Sequence, residues 1–266
     1  MNTQVEPLSA AQRGRHPLRE VLHRARDPRF VADSALRAMA LLWDRVSPSE
    51  FSSLYRQIRS RTMCSNARLR GLYRACHYVV SSDIVGDVVE CGSAQGGSAA
   101  LMALTLRQMK SRRKMWLFDT FEGLPAPSVQ DPDFEVADLF TGTCVGTLEE
   151  VGELFRSLKV ADDVEFVKGL FQDTLPTSPV SEIAVLHIDG DWYESVKVCL
   201  DTLYDRVVPG GVIQLDDYGY WQGARKAVDE FLAQREIRTP LQRIDYSGRF
   251  LIKSISDQGS NRANVA

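Results

Sequence analysis

From residue 87 onward, the hydrophobic positions follow the pattern of an α/β protein. Short apolar runs that suit buried strands alternate with longer stretches in which apolar residues recur at helical spacing. Such alternation indicates parallel βαβ units with helices on both faces of a sheet. The predicted strands cover residues 87–91, 115–119, 164–167, 183–189 and 211–217, and the predicted helices cover 96–109, 147–158, 192–206 and 223–234.

Two further stretches complete this part of the chain. Residues 241–246 and 250–253, joined by a Ser-Gly-Arg turn, predict a closing antiparallel hairpin. Residues 122–146 show few regular signals. A long irregular segment inside a compact domain usually serves function, so we expect a lid over a site there.

Before residue 81 the pattern is helical. Apolar residues share one face across 31–80, and Ser47-Pro48 is typical of a helix start, so we expect a helical cap or dimerisation region. Residues 1–30 are polar with weak periodicity, so we expect a mobile arm there. We expect residues 257–266 to form a tail.

The composition narrows the class of protein. The chain has 266 residues, of which 44% are hydrophobic, and this suits one large domain with an appendage rather than a disordered or disulfide-stapled chain. No stretch approaches the ~18 apolar residues of a membrane span, and no secretory leader pattern opens the chain. Five cysteines without a CxxC pair favour a reduced, cytoplasmic setting over a zinc site or disulfides.

Charge is distributed unevenly. The first 80 residues carry 14 arginines, no lysine and six acidic residues, whereas the remainder has 18 basic and 29 acidic residues. A basic arm could meet nucleic acid or an anionic substrate. Its arginines alternate with apolar residues at helical spacing, however, which favours packing against the acidic remainder. The overall acidity and the lack of an Asn/Asp-Pro-Pro-Tyr/Phe segment disfavour a nucleic-acid methyltransferase.

The first candidate motif is a strand end followed by a glycine-rich turn. The strand 87–91 carries Glu90, and Gly92-Ser-Ala-Gln-Gly96 then opens a helix. Ligands of open α/β sheets bind at such strand ends, and glycines let a backbone approach them closely. The spacing is not that of a pyrophosphate cradle. Because Glu90 would repel phosphate but accept bonds from an ammonium group, we expect a cationic, phosphate-free ligand; packing alone is the alternative.

The second and third motifs are acidic strand ends. Asp119 ends the next strand and could accept both hydroxyls of a ribose, although a helix cap is the simpler alternative. The other carboxylates follow two neighbouring strands, where they would repel one another. Mg²⁺ prefers oxygen ligands, and its charge would relieve this repulsion. These carboxylates are Asp189, Asp191, Asp216 and Asp217. Within the same strand, His187 is expected to be a hydrogen-bonded core residue.

Two other motifs point to different chemistry. Cys144 lies in a Gly-Thr-Cys-Val-Gly segment shaped like a nucleophile elbow, but the segment lacks a convincing strand and a histidine partner. Asp189-Gly190-Asp191 resembles the nucleophile site of Mg²⁺-dependent phosphohydrolases. That interpretation leaves Glu90 and Asp119 without a role.

The chain resembles the macrocin/mycinamicin sugar O-methyltransferases, the TylF family. The similarity runs from about residue 61 to about residue 232 and rests on specific segments in a fixed order. They are RTMCS, GDVVECGSAQGGSA, LFDTFEGLP, GLFQDTLP, HIDGDWYES, VPGGVIQLDDYG and GARKAVDEF. The resemblance implies a Rossmann-like class I methyltransferase sheet over residues 81–256, mostly parallel, with the helical cap before it.

The resemblance also implies roles for individual residues. Family members use S-adenosylmethionine and Mg²⁺ and are expected to be homodimers. The cofactor would be bound by Glu90, Gly92 and Ser98 at the methionine, Asp119 at the ribose, Gln172 and Asp173 near the adenosine, and Thr62 and Met63 from the cap. Asp189, Asp216 and Asp217 would ligate Mg²⁺, and Asp191 would be the general base. In one departure, Ser93-Ala94-Gln95 replace the aromatic and arginine common in this turn.

The sequence therefore predicts a Mg²⁺-dependent O-methyltransferase acting on a sugar hydroxyl of a glycosylated natural product or nucleotide sugar. A small-molecule acceptor is expected, with neither nucleic acid nor membrane as partner. A catechol-like phenol offers the same two adjacent oxygens and is the alternative acceptor. A Mg²⁺-dependent phosphohydrolase and a non-catalytic nucleoside-binding module are the alternatives from other classes.

Overall fold

The computed structural model describes residues 49–258. Three predicted features lie outside the described residues. They are the arm, the part of the cap before residue 49 with its Ser47-Pro48 start, and the end of the tail. Within the described part, no helix is long and apolar enough to cross a membrane.

A single seven-stranded sheet organises the described chain, in the order β3-β2-β1-β4-β5-β7-β6. The first five strands pair in parallel, and β7 runs antiparallel to both β5 and β6. The predicted α/β fold, with a mostly parallel sheet and a closing antiparallel hairpin, is thus confirmed. The strands are β1 Asp87–Cys91, β2 Met115–Asp119, β3 Val164–Lys168, β4 Ile183–Ile188, β5 Val207–Leu215, β6 Gln242–Arg243 and β7 Arg249–Ile252.

Eight α-helices of the described chain accompany the sheet. They are α1 Glu50–Ile58, α2 Asn66–Ser81, α3 Gly97–Gln108, α4 Phe134–Ala137, α5 Leu148–Ser157, α6 Phe171–Thr174, α7 Tyr193–Leu203 and α8 Gln222–Gln234. One hydrophobic cluster packs α1, α2, α3 and α5 against one face of the sheet, and a second packs α7 and α8 against the other. Helices therefore cover both faces, as buried parallel strands require.

The helical cap is interrupted where the sequence pattern suggests continuity. Ser49 caps α1 and Ser65 caps α2, each accepting a backbone N–H with its side chain. Between the helices, the Arg61 carbonyl accepts the Gly97 N–H at 2.9 Å. The break thus brings the segment 59–65 onto the start of α3, and therefore onto the glycine-rich turn.

Two strands differ from their predicted bounds by more than one residue at an end. β5 begins at Val207, before the Pro-Gly-Gly that resembles a turn, because the β4 pairing shifts register there and Gly210 adopts a φ of 83°. Such an irregularity accommodates proline and glycine within a strand. β6 has only two residues, because the Asp245 carboxylate accepts the N–H groups of Ser247 and Gly248 and turns the chain out of the ladder.

A close backbone approach at Gly92 aligns the ends of β1 and β4. Gly92 has a φ of 88°, and the Asp189 N–H donates to the Cys91 carbonyl at 2.9 Å. A Cβ atom on residue 92 would overlap the Asp189 carbonyl oxygen. Glycine is therefore required both for its backbone conformation and for the space that lets Asp189 follow the strand end.

We expect Gly92→Ala to destabilise the protein much more than Gly142→Ala. Gly142 also has positive φ, 73°, but a Cβ there meets no atom within 4 Å. The Gly142 variant should lose about 1 kcal/mol from backbone strain alone, and the Gly92 variant at least about 3 kcal/mol, because an overlap is added. Urea unfolding measures both. Equal losses would show that the contact with Asp189 is unimportant.

Candidate active site

A cavity of about 820 Å³ lies at the carboxyl ends of the central strands. This edge is where open α/β sheets bind ligands. Ten of the twelve residues predicted for the site line it: Thr62, Met63, Gly92, Ser98, Asp119, Gln172, Asp189, Asp191, Asp216 and Asp217. Glu90 lies behind the wall, fully buried, and Asp173 is exposed outside the lining.

The glycine-rich turn is held by Asp119. One carboxylate oxygen of Asp119 accepts the N–H groups of Ser93 at 2.7 Å and Ala94 at 3.2 Å, and the other accepts the Phe121 N–H at 2.7 Å. Gly96 caps α3 with a φ of 81°. The end of β2 therefore fixes the turn after β1, and both of them line the cavity.

The cap segment forms another wall. Thr62 and Met63 line the cavity next to the start of α3, and Met63 is 67% exposed. Since Gly97 bonds to Arg61, the segment is attached to the helix that follows the glycine-rich turn. That Thr62 and Met63 close over a bound cofactor stays a prediction.

Three carboxylates converge at the ends of β4 and β5. Asp189, Asp191 and Asp217 each offer an oxygen, and these atoms lie within 4.8 Å of one another. Burial and the neighbouring Asp189 raise the pKa of Asp191 to about 7. Burial, with Asp191 and Asp189 nearby, raises the pKa of Asp217 well above its ordinary value. The predicted crowding of carboxylates is present, and its electrostatic cost with it.

Asp191 is held by its backbone and by an indole. It has a φ of 56°, unusual for a residue other than glycine. Its N–H donates to Asp217 Oδ2 at 3.0 Å, and Trp221 Nε1 donates to its Oδ1 at 2.8 Å. Strained backbone of this kind is concentrated at functional sites.

Asp216 lies on the other side of Asp189 and has its own partners. Arg68, from α2, forms an ion pair with Asp216 Oδ2. His187 Nε2 lies 3.3 Å from Asp216 Oδ1, and His187 Nδ1 lies 2.7 Å from Glu90 Oε1. His187 is therefore a hydrogen-bonded core histidine, as expected, and it joins two of the predicted site residues.

The irregular segment 122–146 covers the site, although its short helix α4 was not predicted. Trp192 Nε1 donates to the Pro125 carbonyl at 2.7 Å, and the buried Asp131 accepts the first N–H of α7, from Tyr193, at 2.7 Å. The Phe140 ring packs edge-on against Trp221, with centroids 5.4 Å apart. Arg68, Asp131 and Trp221 escaped the sequence analysis, since a lone arginine, aspartate or tryptophan carries no motif.

Cys144 does not have the environment of a nucleophilic thiol. It lies in this covering segment rather than between a strand and a helix. Burial and the nearby Asp191 raise its pKa to about 11, whereas a reactive thiol needs a lowered pKa. The structure gives no support to a thiol hydrolase.

Sheet order, glycine-rich turn and acidic crevice together define a Rossmann-like methyltransferase. The family model of macrocin-O-methyltransferase (TylF) matches residues 56–253. The chain therefore belongs to the macrocin O-methyltransferase family. It is an O-methyltransferase, and the family and fold imply S-adenosylmethionine as its methyl donor.

Similar proteins include O-methyltransferases of two Streptomyces species. The chain is 36% identical over 194 residues to demethyldecarbamoylnovobiocin O-methyltransferase of Streptomyces niveus, covering 71% of this chain and 74% of that one. It is 34% identical over 197 residues to 8-demethyl-8-(2,3-dimethoxy-alpha-L-rhamnosyl)-tetracenomycin-C 4'-O-methyltransferase of Streptomyces olivaceus, covering 72% and 75%. The solved structure of the O-methyltransferase NovP superposes with a TM-score of 0.68 at 34% identity, covering 73% of this chain and 82% of that one.

The crowded carboxylates predict an unusual pH dependence of stability without metal. The pKa of Asp191 is 3.8 ordinarily and about 7 in the fold, so the folded state binds this proton more tightly. Its contribution to stability is therefore lost as pH rises from about 4 to about 7. In EDTA, Asp191→Asn should stabilise the protein by about 1–3 kcal/mol at pH 8 and by much less at pH 5.

Urea unfolding at the two pH values measures this difference. Asparagine can still accept the Trp221 bond, so the variant removes mainly charge. The exposed Asp162→Asn is the matched control and should show no such pH-dependent gain. A gain for Asp191→Asn that is the same at both pH values would contradict the proposed repulsion.

Proposed function

We propose that this enzyme transfers a methyl group from S-adenosylmethionine to a sugar hydroxyl of a glycosylated natural product, with Mg²⁺ as metal cofactor. The observation that carries the proposal is the trio of crowded carboxylates opening into the same cavity as the glycine-rich turn. The printed name of the Streptomyces olivaceus relative, which includes a rhamnosyl group and a 4'-O-methyltransferase activity, supports a sugar acceptor.

The cofactor's methionine end suits Glu90. This carboxylate is fully buried, and its Oε2 has no hydrogen-bond partner among the described side chains. A buried, unpartnered carboxylate oxygen fits an ammonium group better than any neutral or anionic one. Gly92 and Ser98 line the adjoining wall and would contact the same end.

The adenosine end suits the neighbouring strand ends. Asp119, at the end of β2, would accept the ribose hydroxyls while it holds the glycine-rich turn. Gln172 lies in the lining after β3, and Thr62 and Met63 would close over the cofactor. Asp173 is exposed and adjoins Gln172, so its contribution would be to the rim of this subsite.

The donor set of the acidic crevice fits Mg²⁺. All three members of the trio offer carboxylate oxygens, the ligands that this hard cation prefers. We propose Asp189, Asp216 and Asp217 as ligands. Two groups of potential metal ligands include Asp189: one also contains Asp217, and the other also contains Asp216. Asp189 therefore lies close to both of the other proposed ligands. Asp216 would exchange its bond to Arg68 for the ion.

Asp191 would be the general base. When bound, Mg²⁺ would lower the pKa of a hydroxyl whose oxygen it holds. Asp191 then accepts the hydroxyl proton on its carboxylate, while the Trp221 indole holds Oδ1 and the backbone of residue 191 is tied to Asp217. The covering segment 122–146 excludes water and, with the cap, positions the acceptor oxygen in line with the methyl group.

We expect Asp189→Ala and Asp191→Ala to reduce methyl transfer at least 1000-fold, because one removes a metal ligand and the other the base. Binding of S-adenosylhomocysteine, measured by its thermal shift, should change little. The exposed Asp162→Ala is the matched control and should keep wild-type activity. Either site variant retaining most of its turnover would exclude its assigned role.

Metal dependence has its own test. EDTA should abolish methyl transfer, and added Mg²⁺ should restore it, since the bound ion would lower the pKa of the acceptor hydroxyl. Full activity after exhaustive chelation would contradict the metal mechanism. Phosphate release without S-adenosylmethionine would instead favour the phosphohydrolase.

The acceptor can be identified from the products. A panel of deoxysugar glycosides and catechols, incubated with S-adenosylmethionine and analysed by mass spectrometry, should show a mass increase of one methylene on glycosides. Fragmentation should place it on the sugar. Methylation of catechols alone would favour the phenol acceptor and overturn the sugar assignment.

A further inference from the structure

Beside the acidic trio lies a second group of potential metal ligands that includes sulfur and nitrogen. Cys64, His187, Asp189 and Asp216 each offer one ligand atom, and these atoms lie within 4.8 Å of one another. The four residues come from the cap segment and the ends of β4 and β5. Their wide separation in sequence explains why the cysteine spacing argued against a zinc site.

The spacing of these atoms suits a tetrahedral ion. Cys64 Sγ lies 3.8 Å from Asp189 Oδ2 and 3.6 Å from Asp216 Oδ2, and His187 Nε2 lies 3.3 Å from Asp216 Oδ1. Around Zn²⁺, ligand bonds of about 2.0–2.3 Å place neighbouring ligands about 3.3–3.5 Å apart. These three separations exceed the tetrahedral ones by at most a few tenths of an ångström, and the four ligand atoms as a group lie within 4.8 Å of one another.

His187 is oriented as metal-binding histidines are. Its Nδ1 lies 2.7 Å from Glu90 Oε1, and both side chains are fully buried. With the proton on Nδ1, the ring donates to the Glu90 carboxylate and presents the Nε2 lone pair to the group. A carboxylate behind the histidine is the usual second shell of zinc sites, and it makes the ligand nitrogen more basic.

Access and charge also favour a cation. Cys64, Asp189 and Asp216 line the cavity, which gives an ion a path inward. Arg68 now pairs with Asp216, but its Nε also lies 3.4 Å from Asp245 Oδ2. Arg68 can therefore keep a carboxylate partner when an incoming ion takes Asp216.

We propose that Cys64, His187, Asp189 and Asp216 form an inhibitory site for Zn²⁺. Binding would exchange the thiol proton of Cys64, which leaves to solvent, for a zinc–thiolate bond. Because Asp189 and Asp216 are also the proposed Mg²⁺ ligands, Zn²⁺ here and Mg²⁺ at the catalytic carboxylates would exclude each other. Mg²⁺ does not favour thiolate, so the sulfur gives the site its selectivity.

Cobalt substitution tests the site without relying on methyl transfer. The full-length, reduced protein is freed of metal by chelation and titrated with Co²⁺, which replaces Zn²⁺ and reports a bound thiolate by a charge-transfer absorption band. We expect a band that saturates at one ion per chain and disappears on adding Zn²⁺. Absence of the band in the wild-type protein would overturn the proposal.

Two cysteine variants locate the ion. Cys64→Ser should abolish the charge-transfer band and weaken Zn²⁺ binding, measured by competition with a chromophoric chelator, at least tenfold. Cys144→Ser, which changes another cavity cysteine outside the group, should leave both unchanged. Loss of the band in Cys144→Ser with retention in Cys64→Ser would contradict the assignment. An unchanged thermal shift with S-adenosylhomocysteine verifies that each variant is folded.

Inhibition is then measured on the active wild-type enzyme. Zn²⁺ should inhibit methyl transfer, and raising the Mg²⁺ concentration should relieve the inhibition. Should methyl transfer prove independent of Mg²⁺, the cobalt band would still report on the zinc site, so failure of one proposal is distinguishable from failure of the other. Inhibition that Mg²⁺ leaves unchanged would contradict competition through Asp189.

Discussion

Repulsion between closely spaced carboxylates governs this site. Asp189, Asp191 and Asp217 are brought together at one edge of the sheet, where burial and mutual charge hold the pKa values of Asp191 and Asp217 above their ordinary range. Arg68 offsets part of this charge but pairs with Asp216. The arrangement is unfavourable for the protein alone and favourable around a divalent cation, and this contrast is the physical basis for the proposed chemistry.

Backbone geometry rather than side-chain packing keeps the acids together. Gly92 lets the end of β1 contact Asp189 directly, and the strained φ of Asp191 turns that residue back toward Asp217. Trp221, directly before α8, holds the Asp191 carboxylate through a hydrogen bond from its indole. The cap attaches through Arg61 to the start of α3, which follows β1, and the covering segment attaches through Asp131 to the start of α7, which follows β4. Moving the carboxylates apart would break these contacts, so the fold itself limits how far the site can reduce the repulsion between them.

The sequence predicted the sheet well because its inner strands are buried on both faces. β1 and β2 have the predicted bounds, and each coincides with a short, mostly apolar run. The shortened β6 and the break in the cap were missed because hydrogen bonds to Asp245 and Gly97 decide them. Such bonds form only after distant elements meet.

The sequence could predict those residues of the candidate site that directly follow a strand. Acidic residues after parallel strands must share one edge, so Asp119, Asp189 and Asp217 could be expected to line one cavity. The supporting residues could not, since Arg68 and Asp131 act on partners 148 and 62 residues away in sequence. No local pattern encodes those pairs, and each requires the folded topology.

The most direct test of the central claim is a crystal structure with Mn²⁺ in place of Mg²⁺, together with S-adenosylhomocysteine. Anomalous scattering locates manganese independently of its ligands. We expect one strong peak within bonding distance of the Asp189, Asp216 and Asp217 carboxylates and beside the cofactor's sulfur. Well-ordered carboxylates that face solvent with no peak between them, in crystals of enzyme that Mn²⁺ activates, would contradict it.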